Sequence, residues 1–280
     1  MKARLIMFAA AGVAGCRDAP EAGNAATAAP ADSAFVIPHD STIPDDALGR
    51  SIRRGRALLL HTKDSLPDHV GNALTCTNCH PDAGTRADAM PWIGVYGRFP
   101  QYRSRAASVQ IIEDRIDDCF LRSMNGRPLP RESAEMRDII AYMAFLSRGT
   151  EVGADIPGQG LPKLDVASGD SAAGAAIYAA ECARCHAENG DGGAGPPVWG
   201  PRSYNIGAGM ARVRTAAAFI RRNMPVDRPG VLTDQQATDV AAYINSQPRP
   251  DFPGKEHDWP NGDPPPDVAY ETLAGRKSQP

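Results

Sequence analysis

Two copies of a Cys-x-x-Cys-His pentad, Cys76-Thr77-Asn78-Cys79-His80 and Cys182-Ala183-Arg184-Cys185-His186, limit what this chain can fold around. In each, two thiols can bond to the vinyl groups of a haem while the adjacent histidine reaches the iron from one side. Zinc sites and disulfides are the rival uses of a Cys-x-x-Cys pair. The histidine directly after the second cysteine in both copies favours haem. The pattern therefore calls for two covalently bound haem c groups, attached through Cys76, Cys79, Cys182 and Cys185, with His80 and His186 as proximal iron ligands. Aromatic residues make up only 6% of the chain, lean for a core of this size, and two buried porphyrins would fill that space.

The N-terminal residues carry an export pattern. Lys2 and Arg4 precede a short apolar run at 5–11, and Val13-Ala14-Gly15-Cys16 matches a lipoprotein cleavage box. The run is too short to span a bilayer and reads as a removable signal over 1–15. Lipid on Cys16 would then tether a periplasmic, membrane-anchored lipoprotein. The alternative is plain secretion with Cys16 as a stray thiol. Residues 16–45, rich in Ala, Pro, Asp and Ser, suit a flexible tether. Loss of Lys2 and Arg4 takes the formal net charge from −3 to −5, which gives no reason to expect nucleic acid as a partner.

The rest is an internal duplication. Asp138-Ile139-Ile140-Ala141-Tyr142-Met143 closes one copy and Asp239-Val240-Ala241-Ala242-Tyr243-Ile244 the other, both inside amphipathic helical stretches at 131–147 and 233–246. Thr233 caps the second of these, with Asp234 in its first turn. Helical segments at 46–61 and 169–180 run towards the two pentads. No strand signal stands out. The expected fold is all-α, with two tandem class I cytochrome c domains at 46–148 and 169–250, each enclosing one haem. A Gly- and Pro-rich linker at 149–168 joins them, and a Pro-rich tail at 251–280 should drape over the surface or stay loose.

The sixth ligand on each iron decides the chemistry. Met224, on a loop ahead of the final helix, is the preferred candidate for the second haem, and Met210 is its competitor. For the first haem, aligning Tyr142 with Tyr243 sets Met124 opposite Met224, which would make a plain electron carrier. Against this stands Cys119. Four of the six cysteines bind haem and Cys16 takes lipid, so Cys119 is left without a partner.

If 110–123 is helical, Arg115, Cys119 and Ser123 share one face at i, i+4 and i+8, beside an apolar stripe of Ile112, Ile116 and Phe120. Nearby cations favour the nucleophilic, iron-binding thiolate form of a cysteine. Residues 98–131 hold seven arginines against four acids, on an otherwise acidic chain. A solvated basic face is the bland reading of that cluster; an oxyanion pocket beside the cysteine is the sharper one.

In the runs Phe99-Pro100-Gln101-Tyr102-Arg103-Ser104-Arg105 and 115–126, with Pro196-Pro197-Val198-Trp199-Gly200-Pro201, Asn223-Met224-Pro225 and Asp239-Val240-Ala241-Ala242-Tyr243, the chain resembles the dihaem thiosulfate dehydrogenase family of periplasmic cytochromes. The resemblance covers 46–250. It implies that Cys119 is the distal ligand of the first haem, in a substrate site where Arg105, Arg115 and Ser123 hold the sulfur oxyanion. It also implies oxidation of two thiosulfate to tetrathionate, reversible as tetrathionate reduction. Electrons would leave through a His186/Met224 haem to an external acceptor such as a small cytochrome c or a high-potential iron–sulfur protein. Some members carry a lysine just before the methionine; here that position is Asn223, which leaves steady His186/Met224 ligation as the expectation. Two other classes of function remain open on the residues alone. One is a non-catalytic dihaem carrier with Met124 on the first iron, the other a cytochrome subunit of a separate dehydrogenase.

Overall fold

The computed structural model of the chain describes residues 34–272. The expected signal at 1–15, the expected lipid attachment site Cys16 and part of the expected tether lie outside the described residues. Six main helices carry the architecture: α1 (Ala47–Leu60), α2 (Ile112–Asp118), α3 (Ala134–Leu146), α4 (Ser171–Ile177), α5 (Val213–Asn223) and α6 (Asp234–Ser246). Among the described residues no helix is long and apolar enough to cross a membrane.

Local chemistry starts these helices where the sequence suggests. The Asp46 carboxylate accepts the Gly49 N–H at 2.9 Å, Ser133 accepts from Met136, and Asp170 accepts from Ala172 and Ala173. Thr233 and Gln236 form a reciprocal capping box at the start of α6.

Each half is built on one helix crossing, α1 over α3 and α4 over α6, with α5 also packed on α6. The crossings are close because a glycine sits at each. A Cβ on Gly55 would lie 1.9 Å from the Asp138 carbonyl oxygen, and one on Gly174 would lie 2.0 Å from that of Asp239. The same two aspartates tie the crossing helix with their carboxylates. Asp138 accepts from Arg54 and Ser51, and Asp239 accepts from the Asp170 N–H and from Gln235. Tyr142 packs edge-on against Trp92, and Tyr243 does the same to Trp199. The two halves are thus one frame used twice.

Two features go beyond the all-α expectation. Residues Gln101–Arg103 (β1) and Ser108–Gln110 (β2) pair antiparallel, Tyr102 facing Val109. Gln110 therefore ends a strand rather than opening a helix, which starts only at Ile112. In addition, α2 does not continue regularly to Ser123: Cys119–Ser123 forms a π-helical turn, a wider coil often found at functional sites. Ile112, Ile116 and Phe120 are buried as the stripe requires.

The halves are packed together. Tyr204, Ala208 and Ala211, from the second half of the chain, join the core of the first. Asn205 donates to the Leu121 carbonyl at 2.9 Å, Asn72 to that of Ser203 at 3.1 Å, and Asn223 to that of Asp88 at 3.2 Å. The described part of the tail, 251–272, packs against the body: Phe252, Asp258, Trp259 and Thr272 are buried. Nor does 149–168 hang free, since Gln159 is buried and donates to the Ile93 carbonyl at 2.7 Å.

Replacing Gly55 or Gly174 with alanine should force the crossing apart and cost about 1–3 kcal/mol or more by overpacking. Denaturant midpoints of the haem-loaded protein test this, and an unchanged midpoint would show that the close approach is not needed.

Candidate active site

Both pentad histidines are aimed by the same device. His80 Nδ1 lies 2.6 Å from the Met90 carbonyl and His186 Nδ1 2.7 Å from that of Pro196, ten residues on in each copy. An Nδ1–H donating to a carbonyl fixes the tautomer and leaves Nε2 with its lone pair for a metal. Burial pushes the His80 pKa down to about 4, against the Met90 carbonyl, and lowers that of His186 as well. Both rings are therefore neutral at physiological pH, the form that ligates iron.

Each histidine faces an apolar cavity. The first is lined by Leu59, Leu74, Trp92, Ile116 and Phe120, with Cys76, Cys79 and His80 among its walls. The second, about 610 Å³, holds Cys182, Cys185 and His186 among residues such as Val198, Phe219, Ile220 and Val240. All four attachment thiols are free, and among the described residues no cluster of three or more His, Cys, Asp or Glu could hold a metal ion. Paired thiols, a neutral imidazole and apolar walls fit a covalently attached haem; they do not fit a zinc site.

Both distal candidates of each half line that half's cavity. Cys119 and Met124 both line the first cavity, and Met210 and Met224 both line the second. One contact separates the first pair. Arg115 Nη1 donates to Cys119 Sγ at 2.9 Å, and the negative charge that sulfur can carry, opposed by burial, raises the Arg115 pKa. Asn223 is fully engaged with the Asp88 and Phe219 carbonyls and is buried.

Beside Cys119 opens a second, polar cavity of about 280 Å³, with Arg103, Arg105, Arg115, Arg122 and Arg212 in its walls. Ser123 lines both this cavity and the apolar one, so the residue stands at their junction. Arg105 is held by the Gly207 carbonyl at 2.7 Å and lies 4.6 Å over the Trp259 ring. Burial, followed by the neighbouring Arg122 cation, pushes its pKa down to about 10, so it stays charged at neutral pH.

Arg122 is different. It forms a two-pronged ion pair with Asp258 at 2.7 and 2.8 Å, touches Asp118 at 3.3 Å, and stacks on Phe252. Tyr270 donates to the same Asp258. This knot fastens the tail against the first half and brings Trp259 over Arg105.

Of the residues singled out in the sequence, Arg105, Arg115 and Ser123 line the polar cavity, and Cys119 and Ser123 line the apolar one. The sequence reading missed Arg212, Gln110, Asp258 and Trp259. A tryptophan in a proline-rich tail, one of only three in the chain, was the available signal for the tail contact. Nothing local singles out Arg212.

Comparison with known proteins matches the chain to two cytochrome families. Residues 68–152 match the family described as SoxA/TsdA, cytochrome c domain, and 169–244 match that described as cytochrome C oxidase, cbb3-type, subunit III. A curated thiosulfate dehydrogenase of Allochromatium vinosum is 45% identical, covering 80% of this chain and 87% of its own length. One from Psychrobacter arcticus is 40% identical, covering 83% and 73%. Among solved structures, thiosulfate dehydrogenase (TsdBA) from Marichromatium purpuratum superposes with a TM-score of 0.75 at 40% identity, over 79% of this chain. This chain spans 50% of that longer one.

Changing Asp258 to alanine leaves the buried Arg122 guanidinium with Asp118 alone, a loss of about 3 kcal/mol. Hydrogen exchange over 251–270 should speed up accordingly. Unchanged protection there would mean that the ion pair does not fasten the tail.

Proposed function

Because the chain belongs to the thiosulfate dehydrogenase family, we propose that it joins two thiosulfate ions into tetrathionate and passes the two electrons released to an external acceptor. The observation that carries this reading is the Arg115–Cys119 contact at the edge of an arginine-lined cavity. A carrier without a substrate, with Met124 on the first iron, would have no use for that cavity.

The residues have a defined electrostatic task. At about 5 Å and an effective dielectric constant near 20, two dianions repel by about 13 kcal/mol. Guanidiniums preorganised around the cavity offset that repulsion without reorganising during the reaction. Arg115 and Ser123 would hold one thiosulfate with its sulfane sulfur towards Cys119, and Arg105 is fixed in place by Gly207 and Trp259. Bringing the sulfane sulfurs together supplies the proximity that a bimolecular coupling needs. One S–S bond forms, two electrons leave, and no proton is released, so no general base is needed. The same couple can run backwards as tetrathionate reduction.

Haem c would be held by Cys76, Cys79, His80 and Cys119 in the first half, and by Cys182, Cys185, His186 and Met224 in the second. When bound, the haem groups supply one-electron redox chemistry, the thiolate lowering the potential of one and the thioether raising that of the other. We take the acceptor to be a small cytochrome c or a high-potential iron–sulfur protein. We also take the protein to be a periplasmic lipoprotein anchored through Cys16; the export pattern and the covalent haem attachment support this location.

Oxidised holoprotein mixed with thiosulfate and ferricyanide should turn over, and Cys119→Gly should abolish turnover. Arg115→Ala should reduce kcat/KM by about 10²–10³, as for removal of one oxyanion donor. Equal rates in wild type and Cys119→Gly would remove the reading.

A further inference from the structure

The polar cavity is larger in charge than one anion requires. Five arginines line it, against Asp118 in the wall and Asp258 behind Arg122. Among the described residues, Arg103, Arg105, Arg115 and Arg212 have no carboxylate within ion-pair distance. Arg103 is pushed down by burial and then by the Arg115 cation, with Arg212 also acting on it. Arg212 acts on Arg105 too, so it lies within electrostatic reach of both.

Arg212 comes from the second half of the chain, at the foot of α5, whereas the other four belong to the first half. Its Nε is buried and without a hydrogen-bond partner, and so is Oε1 of Gln110, at the end of β2 across the cavity. Buried polar groups left unpaired are costly. A carboxamide can present nitrogen instead of oxygen by a simple flip, so both side chains can offer donors to an anion. Arg115 and Ser123 are already committed to the Cys119 end.

We propose that this cavity holds two sulfur oxyanions together, and that Arg212, with Arg103 and Gln110, forms the subsite for the anion not bound at Cys119. The inference rests on the proposed reaction and deepens it. The first half would bind one thiosulfate at the cysteine, and the second half would complete the place for its partner. The same two subsites would take the two sulfonate ends of tetrathionate, a single ligand spanning both. On this account the two halves share the substrate site as well as the electron path.

The test uses full-length oxidised holoprotein, which has no electrons with which to reduce tetrathionate. Calorimetric titration with tetrathionate should give a Kd at least tenfold weaker in Arg212→Gln than in wild type, with part of the affinity restored in Arg212→Lys. Steady-state oxidation should show a KM for thiosulfate raised at least tenfold, with kcat at saturation within about threefold and the paramagnetic resonance spectrum of the oxidised haems unchanged. A Kd and KM within twofold of wild type would overturn the subsite, as would a fall in kcat without a change in KM, or no tetrathionate binding in wild type. A wild-type protein that binds tetrathionate through Arg212 yet does not oxidise thiosulfate would defeat the proposed activity and leave the subsite standing.

Discussion

A half-buried guanidinium resting on a sulfur, Arg115 on Cys119 at 2.9 Å, is the contact on which the proposed chemistry turns. The guanidinium donates to that sulfur, and a thiolate is both a strong iron ligand and a nucleophile. The contact also ties two environments together. On one side lies an apolar cavity with His80 and its two thiols; on the other lies a cavity whose walls are largely arginine. Ser123, one π-helical turn beyond Cys119, faces both.

The duplicated frame explains why such a site could arise on one side only. The close glycine crossings, the aspartate ties, the edge-on Tyr–Trp pairs and the carbonyl-oriented histidines recur in both halves. They fix the parts that hold a cofactor, and leave the segment between the pentad and the final helix free to differ. In the first half that segment became a β hairpin and a helix that leads into the π-helical turn of Cys119. In the second it became α5, which ends at Asn223 and leads straight into Met224. The second half still reaches the polar cavity, through Arg212 at the start of the same helix.

Much of this frame was legible in the residues. Short-range signals gave the pentads, the capped helices, the Tyr142/Tyr243 correspondence and the odd cysteine, because each is written within a few positions. The i, i+4 relation between Arg115 and Cys119 held because α2 is regular up to Asp118. What failed to show was long-range. The hairpin is three residues per strand, below what alternation can reveal. The tail reads as loose because its prolines and glycines carry no periodicity, yet Asp258 and Trp259 find partners well over a hundred residues away. Arg212 looks like any surface arginine until the halves are packed together.

The central claim is that the Cys119 sulfur, beside Arg115, would hold the first haem together with His80. Low-temperature paramagnetic resonance of the oxidised holoprotein tests it most directly. The account predicts a thiolate-type low-spin signal alongside a histidine/methionine one, with the thiolate signal lost in Cys119→Ala. Two histidine/methionine signals, both retained in that variant, would contradict it.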